Sequence, residues 1–243
     1  MKSIGIAIIG LFLSSQIAAA APSWAQISFT TTSGDAPKIL AAAEALMSSD
    51  VGKEFPGKLL LQILTADGDN PATHMFVPIY KSAAEREGYV QKLQADPAWT
   101  GFTAVMGAAS QPVSTVLYRN VGSWGDINET DHVWAAHAFA VDDPAAFQTA
   151  IEKYLDSKTG KKFPGQVYLS AVVAGGISPV SHVISVGYAS EAEMDAWIED
   201  RNGTKDWANY QDDVEGNAEF LGTSLARDVK SWGLATLEDI TSN

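Results

Sequence analysis

Three residue types able to carry chemistry recur in this chain at one fixed separation. His74 and His182 lie 108 positions apart, as do Tyr80 and Tyr188, and Arg119 and Arg227. An imidazole with an unperturbed pKa of about 6.5 exchanges a proton near neutral pH. A guanidinium grips a carboxylate or enolate through two parallel hydrogen bonds. Together the set suggests proton transfer on a small enolisable or negatively charged ligand. His74 and His182 would be general bases or orienting donors, Tyr80 and Tyr188 their hydrogen-bond partners, and Arg119 and Arg227 the anchors. Plainer readings stand beside this one. A histidine near a strand end can bond a backbone carbonyl, and an arginine at a sheet edge can pair with an acid of its own helix.

Other chemistries find less support. His132 and His137 are five apart, which puts them on opposite faces of a regular strand and prevents joint chelation. Cysteine is absent, and with it thiolate metal sites, cysteine nucleophiles and disulfides. No Gly-rich phosphate loop, Ser-centred elbow or His-Glu-x-x-His occurs. Neither a metal nor a cofactor is expected. With 16 basic and 29 acidic residues the formal charge is −13, which argues against nucleic acid and anionic membrane as partners.

The elements that must position these residues are written twice. Gly52–Gly125 maps without a gap onto Gly160–Gly233: Gly-Lys-Glu-Phe-Pro-Gly becomes Gly-Lys-Lys-Phe-Pro-Gly, and Ser123-Trp124-Gly125 becomes Ser231-Trp232-Gly233. Such a match is the mark of a duplicated domain. Gln26–Thr32 alternates as a strand, and Asp35 is placed to cap a helix striped by Ile39, Ala43, Leu46 and Met47. In the second copy the strand is His132–Val141, Asp143 caps, Pro144 opens the helix, and Phe147, Ile151, Tyr154 and Leu155 form the stripe. Strands over Lys58–Ala66 and Thr73–Tyr80, and over Gln166–Ala174 and Ser181–Tyr188, form hairpins. Ser82 with Glu85, and Ser190 with Glu193, fit capping boxes that open a second helical region, extended or broken before Trp99 and Trp207. Final strands run Val113–Val121 and Leu221–Val229. Each copy therefore reads β-α-β-β-α-β, an antiparallel sheet with helices on one face. The bare faces of the two sheets should pack together.

Residues 1–25 read as a signal peptide: Lys2 is the only charge, a mostly apolar run covers Ile4–Ile17, and cleavage fits after Ala20 or Ala25. The remaining divisions are a first repeat over 26–125, a linker over 126–130, a second repeat over 131–233 and a tail over 234–243. The expected product is exported, to periplasm or medium, with no membrane attachment after cleavage. It would be a monomer with an internal pseudo-two-fold axis or a further homodimer.

On this element order and duplication the chain resembles the dimeric α+β barrel superfamily, which includes antibiotic-biosynthesis-type monooxygenases, stress-responsive barrel proteins and NIPSNAP-like proteins. The resemblance implies two ferredoxin-like units with a barrel between their sheets. Members act on aromatic or polyketide substrates, degrade haem, or have no known activity. The haem-degrading members use a helical histidine, and neither second helix here carries one. Two functions follow as expectations. One is a barrel binding a small, partly apolar ligand, with cofactor-free monooxygenase- or isomerase-like chemistry. The other is a non-catalytic structural or interaction protein whose barrel is filled by its own side chains. The ligand is expected against the third and fourth strands, near His74 and Arg119 or near His182 and Arg227, the second half being favoured because Gly187, Gly222, Ser224 and Ala226 leave more room.

Overall fold

The computed structural model describes residues 21–125, 129–176 and 179–241. The expected leader up to Ala20 and residues 126–128 of the expected linker lie outside the described residues. The first half supplies β1 (Ser23–Thr31), β2 (Lys58–Ala66), β3 (His74–Tyr80) and β4 (Ser110–Gly125). The second supplies β5 (Val133–Val141), β6 (Gln166–Gly175), β7 (His182–Tyr188) and β8 (Ala218–Trp232). All eight pair antiparallel and close into one barrel in the order β1-β3-β2-β8-β5-β7-β6-β4.

Closure explains why β4 and β8 outrun the strands read from sequence. Each begins against its own half and ends against the other. β4 pairs with β1 over Ser110–Arg119 and with β6 over Val116–Gly125, and β8 pairs with β5 and then with β2 in the same way. The two sheets are thus joined edge to edge as well as facing each other, and no strand edge is left open. Gly125 ends β4 and Gly233 follows β8, at φ of 90° and 123°, where a side chain would meet the carbonyl oxygens of Gly165 and Gly57.

Helices α1 (Ala36–Ser48), α2 (Asp50–Lys53), α3 (Ala83–Gln94) and α4 (Pro97–Ala109) cover the outside of the first half. Helices α5 (Pro144–Leu155), α6 (Glu191–Arg201) and α7 (Lys205–Glu215) cover the second, and α8 (Leu237–Thr241) follows the last strand. The second helical region breaks in both halves, at Asp96-Pro97 and at Thr204, because each supplies a fresh cap: Asp96 accepts from Ala98 N and Thr204 from Trp207 N. Ser82 and Ser190 cap α3 and α6 by accepting from Glu85 N and Glu193 N. The glutamates reach back one residue further than a capping box requires, to Lys81 N at 2.9 Å and Ala189 N at 2.8 Å. Asp143 caps α5 through Ala145 N and Ala146 N, but Asp35 makes no such bond; its carboxylate turns to Lys38 and Thr32.

Alternation along each strand puts one set of side chains into the lumen and the other under the helices. Much of the lumen is taken up. Trp24 stacks on Tyr118 with centroids 4.0 Å apart, and its Nε1 donates to Ser170 Oγ of the other half at 2.9 Å. Leu60, Met75, Val77 and Ala226 pack beside this pair. Gln62 Nε2 donates to Asp228 Oδ1 at 2.7 Å, and Trp134 Nε1 to its Oδ2 at 3.4 Å; burial pushes the Asp228 carboxyl upward. Strand β1 begins three residues before the expected Gln26, because Ser23 and Trp24 already pair with Tyr80 and Ile79 of β3.

Candidate functional site

The residues singled out from the sequence do not meet in the lumen. His74, Phe76 and Tyr80 share a strand face as expected, but it is the face beneath the helices, with Met75, Val77 and Ile79 turned inward. His74 stacks on Phe29, and its Nδ1 meets Thr73 Oγ1 at 2.9 Å. His182 lies edge-on to Phe147, with Nδ1 at 3.0 Å from Ser181 Oγ. Burial holds both imidazoles below the usual histidine range. Each bonds a neighbouring hydroxyl, close to the structural role weighed from sequence. Tyr80 is buried against Phe55 and Tyr89. Arg119 is exposed on the outer face, and Arg227 Nη2 is 2.7 Å from Glu191 Oε1 at the surface. Arg227 thus pairs with an acid of α6 in its own half, but from between β5 and β2 and not from a sheet edge. Gly187 faces Trp134 and Asp131 on the lumen side, so its small size opens no space under the helices.

A space does open in the second half, between the outer face of β5–β8 and helices α5, α6 and α7. It is a cleft of about 700 Å³, within the range that holds small organic ligands. Its floor is His137, Ile184, Val186 and Tyr188, and its helical wall is Tyr154, Trp197, Arg201, Trp207, Tyr210 and Val214. Exposed Asp142, Glu215, Glu219 and Phe220 form the rim.

The walls are set by ordinary packing. The α5 stripe, Phe147, Ile151 and Tyr154, faces the sheet, and the α7 pair Trp207 and Tyr210 stack at 5.1 Å and close on Tyr154. Tyr188 and Trp197 bracket Phe163 edge-on at 5.6 and 5.2 Å. Among these rings sit three polar groups. Arg201, the last residue of α6, lays its guanidinium over Trp207, 4.0 Å from the ring centroid. Its Nε, and the Tyr154 hydroxyl, are buried without a hydrogen-bond partner among the described residues, which is costly in a finished interior. His137 Nδ1 meets Thr223 Oγ1 at 2.7 Å, leaving Nε2 for a ligand. Although the cleft opens beside it, protein surrounds most of the ring; burial, and then Arg201, push it down to about 4. Burial raises the Tyr154 and Tyr188 hydroxyls to about 12, so the imidazole and both hydroxyls rest uncharged at neutral pH beside the charged guanidinium.

The first half closes the equivalent space. Counting back 108 positions, His137 becomes Phe29, Tyr154 becomes Leu46, Arg201 becomes Leu93, Ile184 becomes Phe76 and Tyr210 becomes Phe102. Phe29 packs on Phe76 at 5.5 Å, and Phe76 on Phe102 at 5.7 Å. Of the residues expected in a site, only Tyr188 reaches the cleft. His137 stood out from the sequence only as the counterpart of Phe29 and as an unsuitable metal ligand; Tyr154 and Arg201 were missed as site residues, although comparing the halves for polar residues that replace apolar ones would have marked both.

A closed antiparallel barrel with paired helices outside each half is the dimeric α+β barrel fold. No protein-family model matches the sequence, and no curated protein does. Among solved structures, a candidate monooxygenase from Lactobacillus acidophilus superposes with a TM-score of 0.63 at 14% identity, covering 89% of this chain and 98% of its own. An anthrone oxidase-like protein gives 0.57 at 10% identity, covering 92% and 96%. A chlorite dismutase from Candidatus Nitrospira defluvii gives 0.53 at 8%, covering 87% and 92%. At such identities the likeness is one of fold.

Proposed function

We propose that this protein binds a small, flat, largely aromatic ligand in the second-half cleft and transfers a proton on it at His137, with cofactor-free monooxygenase- or isomerase-like chemistry. The observation that carries this reading is the difference between the halves: one space is filled by Phe29, Phe76 and Phe102, while its counterpart is open and holds an imidazole, a phenol and a guanidinium. The aromatic walls supply apolar area, and the three polar groups supply orientation. In the oxygenase version His137 accepts a proton from an activated methylene, the resulting carbanion reduces dioxygen, and the net change is CH2 plus O2 to C=O plus H2O. In the isomerase version the same proton returns to another carbon. Candidate monooxygenases among the fold neighbours favour the first.

The non-catalytic alternative draws on the lumen, much of which is taken up by Trp24, Tyr118 and the Asp228 cluster. The unpartnered polar groups of the cleft weigh against extending it to the whole molecule. Export completes the proposal, with cleavage after Ala20; cleavage after Ala25 would remove Ser23 and Trp24 from β1. The test is a thermal-shift screen of naphthols, hydroxyanthraquinones and coumarins, followed by oxygen uptake with any hit. Hits that lose their effect in His137→Phe support the reading. Hits that stabilise that variant as much as wild type place binding elsewhere.

A further inference from the structure

The cleft contains a charge that no ion pair among the described residues balances. Arg201 makes no ion pair among the described residues, and its Nε is sealed from solvent without an acceptor. A helix C-terminus favours a cation, but an arginine serving only that purpose would extend into water. This one is turned inward over Trp207. A guanidinium whose Nε is buried without an acceptor carries a standing cost, which falls when a negative oxygen arrives. Tyr154 offers a second unused polar group on the same wall.

The rim has the opposite sign. Asp142, Glu215 and Glu219 surround the mouth, and the whole chain carries −13. A ligand that is already an anion is repelled on approach, while the inner wall favours negative charge. Both conditions are met by a weak acid that enters neutral and ionises inside. His137 lies opposite as the proton acceptor, neutral while the guanidinium is its only charged neighbour in the cleft and more basic once a bound oxyanion shares it. Tyr188 and Tyr210 complete the titratable groups facing this space and remain protonated at neutral pH.

From this arrangement we infer that the ligand is a phenol or enol, taken up neutral and held as its oxyanion by Arg201, with Tyr154 donating beside it and His137 receiving the proton. The inference rests on the proposed cleft and names the ligand class for it. The balance is one O–H bond broken and one N–H bond formed, with no redox partner.

The experiment uses 7-hydroxycoumarin, whose neutral and ionised forms excite at different wavelengths, and 7-methoxycoumarin, which cannot ionise. Both are titrated into the full-length protein at a pH below the free phenol's midpoint. The expected result is binding of both, with 7-hydroxycoumarin bound as the anion. Arg201→Gln should bind it about tenfold or more weaker and in neutral form, with a smaller loss for 7-methoxycoumarin. Arg201→Lys should restore part of the anion signal. Binding of 7-hydroxycoumarin in neutral form to wild type, or an unchanged anion signal in Arg201→Gln, overturns the inference and leaves the cleft as a ligand site. Binding of neither coumarin to wild type overturns both.

Discussion

Replacing His137 by Gln should make the protein less sensitive to acid, and the size of the effect follows from the site. Burial and Arg201 hold the imidazole at about 4, against an ordinary 6.5. The folded-state value is depressed, so the unfolded chain takes up a proton that the folded chain refuses. Stability is intact above about pH 6.5 and is lost as pH falls toward 4. The gap between the two values corresponds to about 3 kcal/mol. Screening through the open side of the cleft brings this to about 1–2 kcal/mol at pH 4.5. For a chain of this length that is about 2–8 °C in Tm. The assay is the Tm of wild type and His137→Gln at pH 7 and pH 4.5. Other groups, including Asp228, titrate alike in both proteins, so the difference of differences isolates His137. Wild type should fall further than the variant by that amount. Equal falls would show that the imidazole is free in solvent, and the geometry of the cleft would be wrong.

Tyr154→Phe removes a buried hydroxyl that has no partner among the described residues, so without ligand it should raise stability by about 1 kcal/mol in urea denaturation; a loss would mean the hydroxyl is already bonded. The exported form should begin at Ala21, because Trp24 stacks on Tyr118 and bonds Ser170; intact-mass measurement of secreted protein beginning at Gln26 would contradict this. Residues 21–125 expressed alone should associate or aggregate, since β4 and β2 lose β6 and β8 as pairing partners; a cooperatively folding monomer on analytical ultracentrifugation would argue against the shared barrel.

Much of the fold was legible because it is local. The Ser82 and Ser190 caps, the Asp143-Pro144 helix start and the alternation of Lys58–Ala66 are each set within a few residues, and each is found. The lengths of β4 and β8 were not, because their last residues are stabilised by strands of the opposite half rather than by neighbours in sequence. Period-two alternation correctly grouped His74 with Phe76 and Tyr80, but it cannot say which of two sheet faces is inside. That depends on which face the helices cover, and here apolar Met75 and Val77 fill the lumen while the aromatic face carries α1–α4. The site was hidden for a related reason. Repetition drew attention to residues kept in both halves; of the differences between them only Phe29 against His137 stood out, whereas Tyr154 and Arg201 also matter because the first half lacks them.

The central claim, that the second-half cleft is the ligand site, is tested most directly by giving it the first half's filling. His137→Phe/Ile184→Phe places in the cleft the side chains found at Phe29 and Phe76. Calorimetric titration of 7-methoxycoumarin into wild type and this double variant should show one site per chain in wild type and none in the variant, with the Tm of the variant unchanged or raised. Equal binding to both proteins would contradict the claim.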